Sequence, residues 1–259
     1  MEIVDYSKVK RFDSFHVDHL EKANIPDAIW PYCNNHVICI NDAYYIWKYD
    51  SLAVELIGAY LSAILGLESA SYSLALYGDK PFVVSKVFFL EGFHYFMASD
   101  FDGAMELFGK PVENIKTSFY CFVERLHLLP KQVLDKMLKL IAIDLKMGQV
   151  DRNEENIIFK RNKVTGELDL APAFDFTNAY VPSSYYKNPF LFLRLNHKSL
   201  ADFIHEFPQI REYIDALQSV SMDVMMDGIL EKSGVAFEEA EIAFYQSFDK
   251  ERSRMLKKI

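Results

Sequence analysis

An α+β fold in two lobes is what this sequence predicts, with a small antiparallel sheet carrying one helix ahead of a larger, mainly helical lobe. Three observations predict it. Periodic segments run in the order β-β-α-β-β ahead of Gly92. Helical spacing dominates beyond that residue, and two short strands interrupt it near residues 157–170. The first lobe is expected at 1–92, with 1–35 unassigned, and the second at 93–259. The cleft between two such lobes is a natural ligand site.

Taken in order, His36–Ile40 and Tyr44–Lys48 are β-prone runs around Asn41-Asp42-Ala43 and read as a hairpin. Residues 51–65 have helical spacing, with Gly66 placed to cap the C-terminus. Ser71–Tyr77 and Phe82–Leu90 are strand-like around the turn signal Gly78-Asp79. Residues 112–126 and 131–147 repeat apolar positions at helical spacing, and Pro130 sits where the second helix would begin. Ile157–Lys160 and Leu168–Leu170 are short strands around the turn Val164-Thr165-Gly166-Glu167. From about residue 199 the pattern reads as three or four helices. Lys250–Lys257 is locally basic and reads as a solvated helical face.

Bulk properties exclude several classes. The 259 residues carry a net charge of −9, against a general nucleic-acid surface, which needs clustered Lys and Arg. Half of the chain is hydrophobic and a quarter charged, as in a packed globular core. Cys33, Cys39 and Cys121 are few, odd in number and far apart, which fits a reducing compartment without a disulfide framework. The start of the chain shows no signal peptide, and no apolar stretch approaches the ~20 residues of a membrane span. A cytoplasmic protein is expected. His16 and His19 could share a helical face, but no further ligand has suitable spacing for a metal. Neither a Gly-x-Ser-x-Gly elbow nor a Walker-type loop occurs.

The chemistry concentrates at 148–178. Asp151 and Asn156 lie five apart on a loop between a long helix and a strand, and Asp175 follows the next strand. Phosphoryl transfer from ATP uses such a set. One carboxylate handles the acceptor proton, while an amide and a carboxylate hold Mg²⁺ on the phosphates. Mg²⁺ takes only a few oxygens from protein and the rest from phosphate and water, so two ligands suffice. Any one Asp or Asn near a turn is ordinarily a cap or an Asx-turn. The order helix, Gly-x-x-Asp-Arg-x-x-x-Asn, strand, hairpin, strand, Ala-Pro-x-x-Asp is much rarer. Lys48 closes an apolar strand ahead of a helix bearing Glu55, where an ammonium facing the cleft would need a partner. Arg152 has two readings, a salt bridge to a nearby carboxylate or a contact with the segment after Asp175.

The segment Met147-Gly148-Gln149-Val150-Asp151-Arg152-Asn153-Glu154-Glu155-Asn156 resembles the catalytic loop of HipA-like kinases, and more remotely that of phosphatidylinositol kinases. Leu170-Ala171-Pro172-Ala173-Phe174-Asp175 is similar to the metal-binding segment of the first family. The stretch from Leu65–Ala70 through Val84–Lys86 resembles the part that follows the N-lobe helix in these kinases. The likeness covers roughly 37–245, with strong motifs at 147–178. It implies a bilobal protein-kinase-like fold and transfer of the ATP γ-phosphate to Ser or Thr of a protein, the kinase itself included. By position, Asp151 matches the catalytic base, Asn156 and Asp175 the metal ligands, and Lys48 the lysine on the phosphates. Glu55 is the candidate that orients Lys48, with Glu68 nearby as a competitor. An antitoxin or other regulatory partner belongs to the same implication. Ser183 and Ser184, in an aromatic stretch after Asp175, are candidate autophosphorylation sites.

The sequence departs from the pattern at two places. No glycine precedes Gly58, so no glycine-rich loop precedes Lys48. Asn153 stands where His is common, and Asp175 is followed by Phe-Thr rather than glycine. A pseudokinase that binds a partner and a phosphatidylinositol-type lipid kinase are the alternatives. The −9 charge counts against a membrane-facing lipid kinase. A small-molecule phosphotransferase of the aminoglycoside type usually shows His-x-Asp, and Gln149-Val150-Asp151 lacks the His.

Overall fold

The computed structural model describes residues 37–40, 43–48, 52–77, 80–98, 126–149, 152, 156–177, 179–180, 200–233 and 237–257. Asp151, the 112–125 segment, His16, His19 and the 183–192 stretch lie outside them, as does the side chain of Lys48.

The fold is α+β, with two small antiparallel sheets and six described helices. β1 (Val37–Ile40) and β2 (Ala43–Lys48) pair as the expected hairpin, with Ile40 opposite Ala43. α1 (Leu52–Ile64) follows, then β3 (Tyr72–Tyr77) and β4 (Lys80–Lys86). The strand order is β1-β2-β4-β3, so β4 returns to the centre beside β2 and places Val83 opposite Lys48. α1 ends as its sequence predicts, with the Leu67 amide donating back to the Ser62 carbonyl at 2.9 Å.

Beyond Gly92 the structure corrects the expectation of helix. Phe93–Met97 is a strand, β5, which pairs with β6 (Ile158–Asn162), and β6 pairs with β7 (Leu168–Leu170). The aromatic run Phe93-His94-Tyr95-Phe96 suits a pleated, half-buried surface. Its partner lies more than sixty residues on, which hides the strand from local periodicity. The connection from β4 to β5 is pinned by Tyr95. Its hydroxyl accepts from the Leu90 amide at 2.9 Å and donates to the Phe88 carbonyl at 3.2 Å.

α2 (Lys131–Met147) spans the predicted range and starts after Pro130. Four helices complete the described chain: α3 (Leu200–Glu206), α4 (Gln209–Gln218), α5 (Met222–Ser233) and α6 (Glu239–Leu256). One hydrophobic core runs from Leu56, Ile57 and Leu61 of α1 through Leu138 and Ile141 of α2 to Ile210 and Leu217 of α4. The helix of the first sheet therefore shares its core with the C-terminal helices.

α6 corrects a second expectation. Arg252, within the basic run, is buried rather than solvated. Its Nε and Nη2 donate to the Leu145 carbonyl at 3.1 and 2.8 Å. Burial brings its guanidinium down to about 10. Beside it, Lys146 of α2 meets Asp249 of α6 at 2.6 Å. The two helices are thus joined by polar contacts at the last turn of α2.

That last turn closes at Gly148, in the left-handed region at φ 63°. The Gln149 amide donates to the Asp144 carbonyl at 2.9 Å, the bond that ends a helix through a left-handed residue. A Cβ at Gly148 would lie 2.8 Å from the Phe248 ring. Gly148→Ala therefore meets both a backbone penalty and a contact. We expect it to lower unfolding free energy by at least about 1 kcal/mol. Urea denaturation measures this, and an unchanged midpoint would contradict it.

Candidate active site

The site is assembled around two buried charges. Arg152, 5 % exposed, is the residue after Asp151. Its Nε and Nη2 each donate to an oxygen of Asp144 at 3.0 Å, a bidentate pair with a carboxylate 3 % exposed in the last turns of α2. Its Nη1 donates to the Phe174 carbonyl at 2.7 Å and to the Asn156 carbonyl at 3.4 Å. One guanidinium therefore ties α2 to the backbone just before Asp175 and to that of Asn156. The salt bridge to a nearby carboxylate expected of Arg152 is present, and most of the segment after Asp175 lies outside the described residues. Burial acts to lower this guanidinium, but Asp144, and further out Asp175 and Glu55, outweigh it and hold its pKa raised.

Glu55 is the second charge, fully buried in α1. Its Oε2 accepts from the Tyr72 hydroxyl at 2.6 Å. Its Oε1 accepts from the Phe176 amide at 3.1 Å and lies 2.9 Å from Thr177 Oγ1. Burial, and then the neighbouring Glu55 carboxylate, push the Tyr72 phenol far above its ordinary range, so it stays a donor. An ionised carboxylate survives burial only with such donors around it. Glu68, the competitor, has an exposed side chain and meets Lys160 at 3.5 Å.

Phe176 fills the space between the two charges. Its ring lies 5.2 Å from the Arg152 guanidinium carbon. It also packs so closely on α1 that a Cβ at Gly58 would fall 2.3 Å from it. Gly58 is thus required by the approach of a ring rather than by its own backbone angles.

Asp175 sits at the bend this packing creates. Its φ is 56°, left-handed for a residue with a Cβ. Gln149 Nε2 donates to its carbonyl at 3.2 Å, and Thr177 Oγ1 lies 2.7 Å from its Oδ1. The strand-like stretch before it is paired as well. The Ala70 amide donates to the Ala173 carbonyl, and the Ala173 amide to the Glu68 carbonyl, both at 2.8 Å. The segment after α1 therefore forms a backbone ladder with the run into Asp175.

Of the predicted site residues, the structure brings Glu55 and Asp175 together through Thr177, and Asn156 to the same guanidinium as Phe174. Lys48 ends β2. Sequence reasoning missed Asp144, Tyr72, Gln149 and Thr177. Asp144 had a faint signal, as the acidic residue among Ile141, Ile143 and Leu145. By residue type, Asn156 and Asp175 could offer an amide and a carboxylate oxygen, a donor set that suits a hard divalent cation completed by phosphate and water. Among the described residues, no group of three or more His, Cys, Asp or Glu is placed to hold a metal alone.

The structure is similar to the Helicobacter pylori proinflammatory kinase CtkA, with a TM-score of 0.60 at 17 % identity over 84 % of this chain and 89 % of that one. It is also similar to HipA of the Shewanella oneidensis MR-1 HipA–HipB toxin–antitoxin system, solved with HipB and operator DNA. There the TM-score is 0.54 at 14 % identity, over 83 % of this chain and 57 % of HipA. The likeness is one of fold. No protein-family model and no curated protein matches the sequence. Among the described residues, no helix is long and apolar enough to cross a membrane.

Arg152→Ala would leave Asp144 buried with its charge unpaired. We expect a loss of about 3–5 kcal/mol in unfolding free energy, the usual cost of breaking a buried pair from one side. Chemical denaturation of wild type and variant tests it. A loss near zero would mean that the pair does not carry the loop.

Proposed function

We propose that this chain is an ATP- and Mg²⁺-dependent protein kinase that phosphorylates Ser or Thr, its own residues included. The observation that carries the reading is the Arg152 junction. It places the backbone at Asn156 and that just before Asp175 on one buried cation, in a fold shared with two kinases. On this reading residues 1–92 and 93–259 form two lobes, and nucleotide lies in the cleft between them.

Asn156 and Asp175 would hold the metal, which when bound neutralises charge on the phosphates. Lys48 would meet the phosphates from the sheet above, with Glu55 orienting it. Asp151 would accept or orient the proton of the acceptor hydroxyl as its oxygen attacks. A protein substrate supplies that hydroxyl, and an antitoxin or regulatory protein is the kind of partner proposed. We place the activity in the cytoplasm. The lack of glycine ahead of Lys48 favours a second reading, a pseudokinase that holds a partner.

Incubation with Mg²⁺ and labelled ATP separates the two. Asp151→Ala should transfer label about 10²–10⁴-fold more slowly than wild type, the range for loss of a positioned acid–base group. Asp175→Ala should fall to background. Mass spectrometry of the labelled product then names the acceptor. Equal transfer by all three proteins would sink the mechanism, and nucleotide binding without transfer by wild type would support the pseudokinase.

A further inference from the structure

We infer that Thr177 is a positioning residue for the metal-binding carboxylate, and that its hydroxyl fixes Asp175 Oδ1. The inference rests on the kinase reading above.

Thr177 Oγ1 lies between two carboxylate oxygens, 2.7 Å from Asp175 Oδ1 and 2.9 Å from Glu55 Oε1. A hydroxyl has one proton to donate, and an ionised carboxylate has none. Glu55 is supplied without Thr177, by the Tyr72 hydroxyl on Oε2 and the Phe176 amide on Oε1. The proton of Thr177 is therefore best used on Asp175, at the shorter of its two contacts. The bend makes this reachable, because the left-handed Asp175 turns the chain so that a side chain two residues on comes back to its carboxylate. Groups that orient a metal ligand in this way commonly set metal affinity as strongly as they set structure. Glycine at the same position would supply no hydroxyl, so Phe-Thr after Asp175 has a job of its own here.

The test measures metal rather than turnover. Mn²⁺ replaces Mg²⁺, and its electron paramagnetic resonance signal reports uptake by the full chain in the presence of a non-hydrolysable ATP analogue. Thr177→Val keeps the shape and removes the hydroxyl, and Thr177→Ser keeps the hydroxyl and removes the methyl. We expect Thr177→Val to weaken Mn²⁺ binding about 10–100-fold, with the melting temperature only a few degrees lower, and Thr177→Ser to stay near wild type. Thr177→Ala carries the same expectation as valine should the valine protein fail to fold. Unchanged Mn²⁺ affinity in a folded valine or alanine variant overturns the inference and leaves the kinase reading standing. So does an equal loss in Thr177→Ser, which would assign the effect to packing. No Mn²⁺ uptake with the nucleotide analogue by wild type overturns the kinase reading and the inference together.

Discussion

The Arg152 guanidinium is the constraint on which the rest of the site depends. It stands in the interior, where each N–H must find an acceptor or cost free energy. Asp144 takes two of these donors in a fork, and the carbonyls of Phe174 and Asn156 share the Nη1 end. Three stretches that are separate in sequence are thereby referred to one planar group. A lysine at 152 would bring the charge without the fork, and could not fix these directions at once. A buried pair of this kind is weak evidence for added stability. Its consequence here is geometric, since neither the backbone at Asn156 nor that at Phe174 can move without disturbing the other.

Glu55 does for α1 what Arg152 does for α2. It takes the Phe176 amide and meets Thr177, so the first helix holds the segment after Asp175 by its backbone as well as by the ring of Phe176. The Ala70–Ala173 ladder adds a third tie from the chain that leaves α1. Together these contacts keep Asp175 in a conformation that costs an L-residue roughly 1–2 kcal/mol. Strain of this kind persists only where the surroundings over-determine it. A displacement of α1 would therefore be felt at Asp175, and α1 is itself packed on α2, α4 and α5. The position of that helix and the backbone at Asp175 are parts of one mechanical unit.

Much of this could be read from the sequence, for definite reasons. α1, α2 and the β6–β7 hairpin have strong periodicity with caps and turns at their ends, and appear within a residue or two of the expected ranges. β5 was hidden because its partner β6 is remote and its own length is five residues. Arg252 looked solvated because composition reports the charge of a run and says nothing of which helical face is covered. Asp151, Asn156 and Asp175 stood out because chelating types recur at a meaningful spacing. Tyr72 and Thr177 did not, since a hydroxyl means little until folding brings a carboxylate from over a hundred residues away to Thr177, or from the preceding helix to Tyr72.

At the Arg152 end the candidate site is fixed by buried charges, which tolerate little change. Ahead of Lys48 there is no glycine through which backbone amides could approach phosphate closely. A chain of net charge −9 also opposes a polyanion in its overall field. On the kinase reading, attraction must then come from local cations, namely Lys48 and the metal held by Asn156 and Asp175. Nucleotide affinity would lean on the metal more heavily than in a site with a glycine-rich grip. That places unusual weight on how well Asp175 is oriented, and so on the hydroxyl of Thr177 beside it.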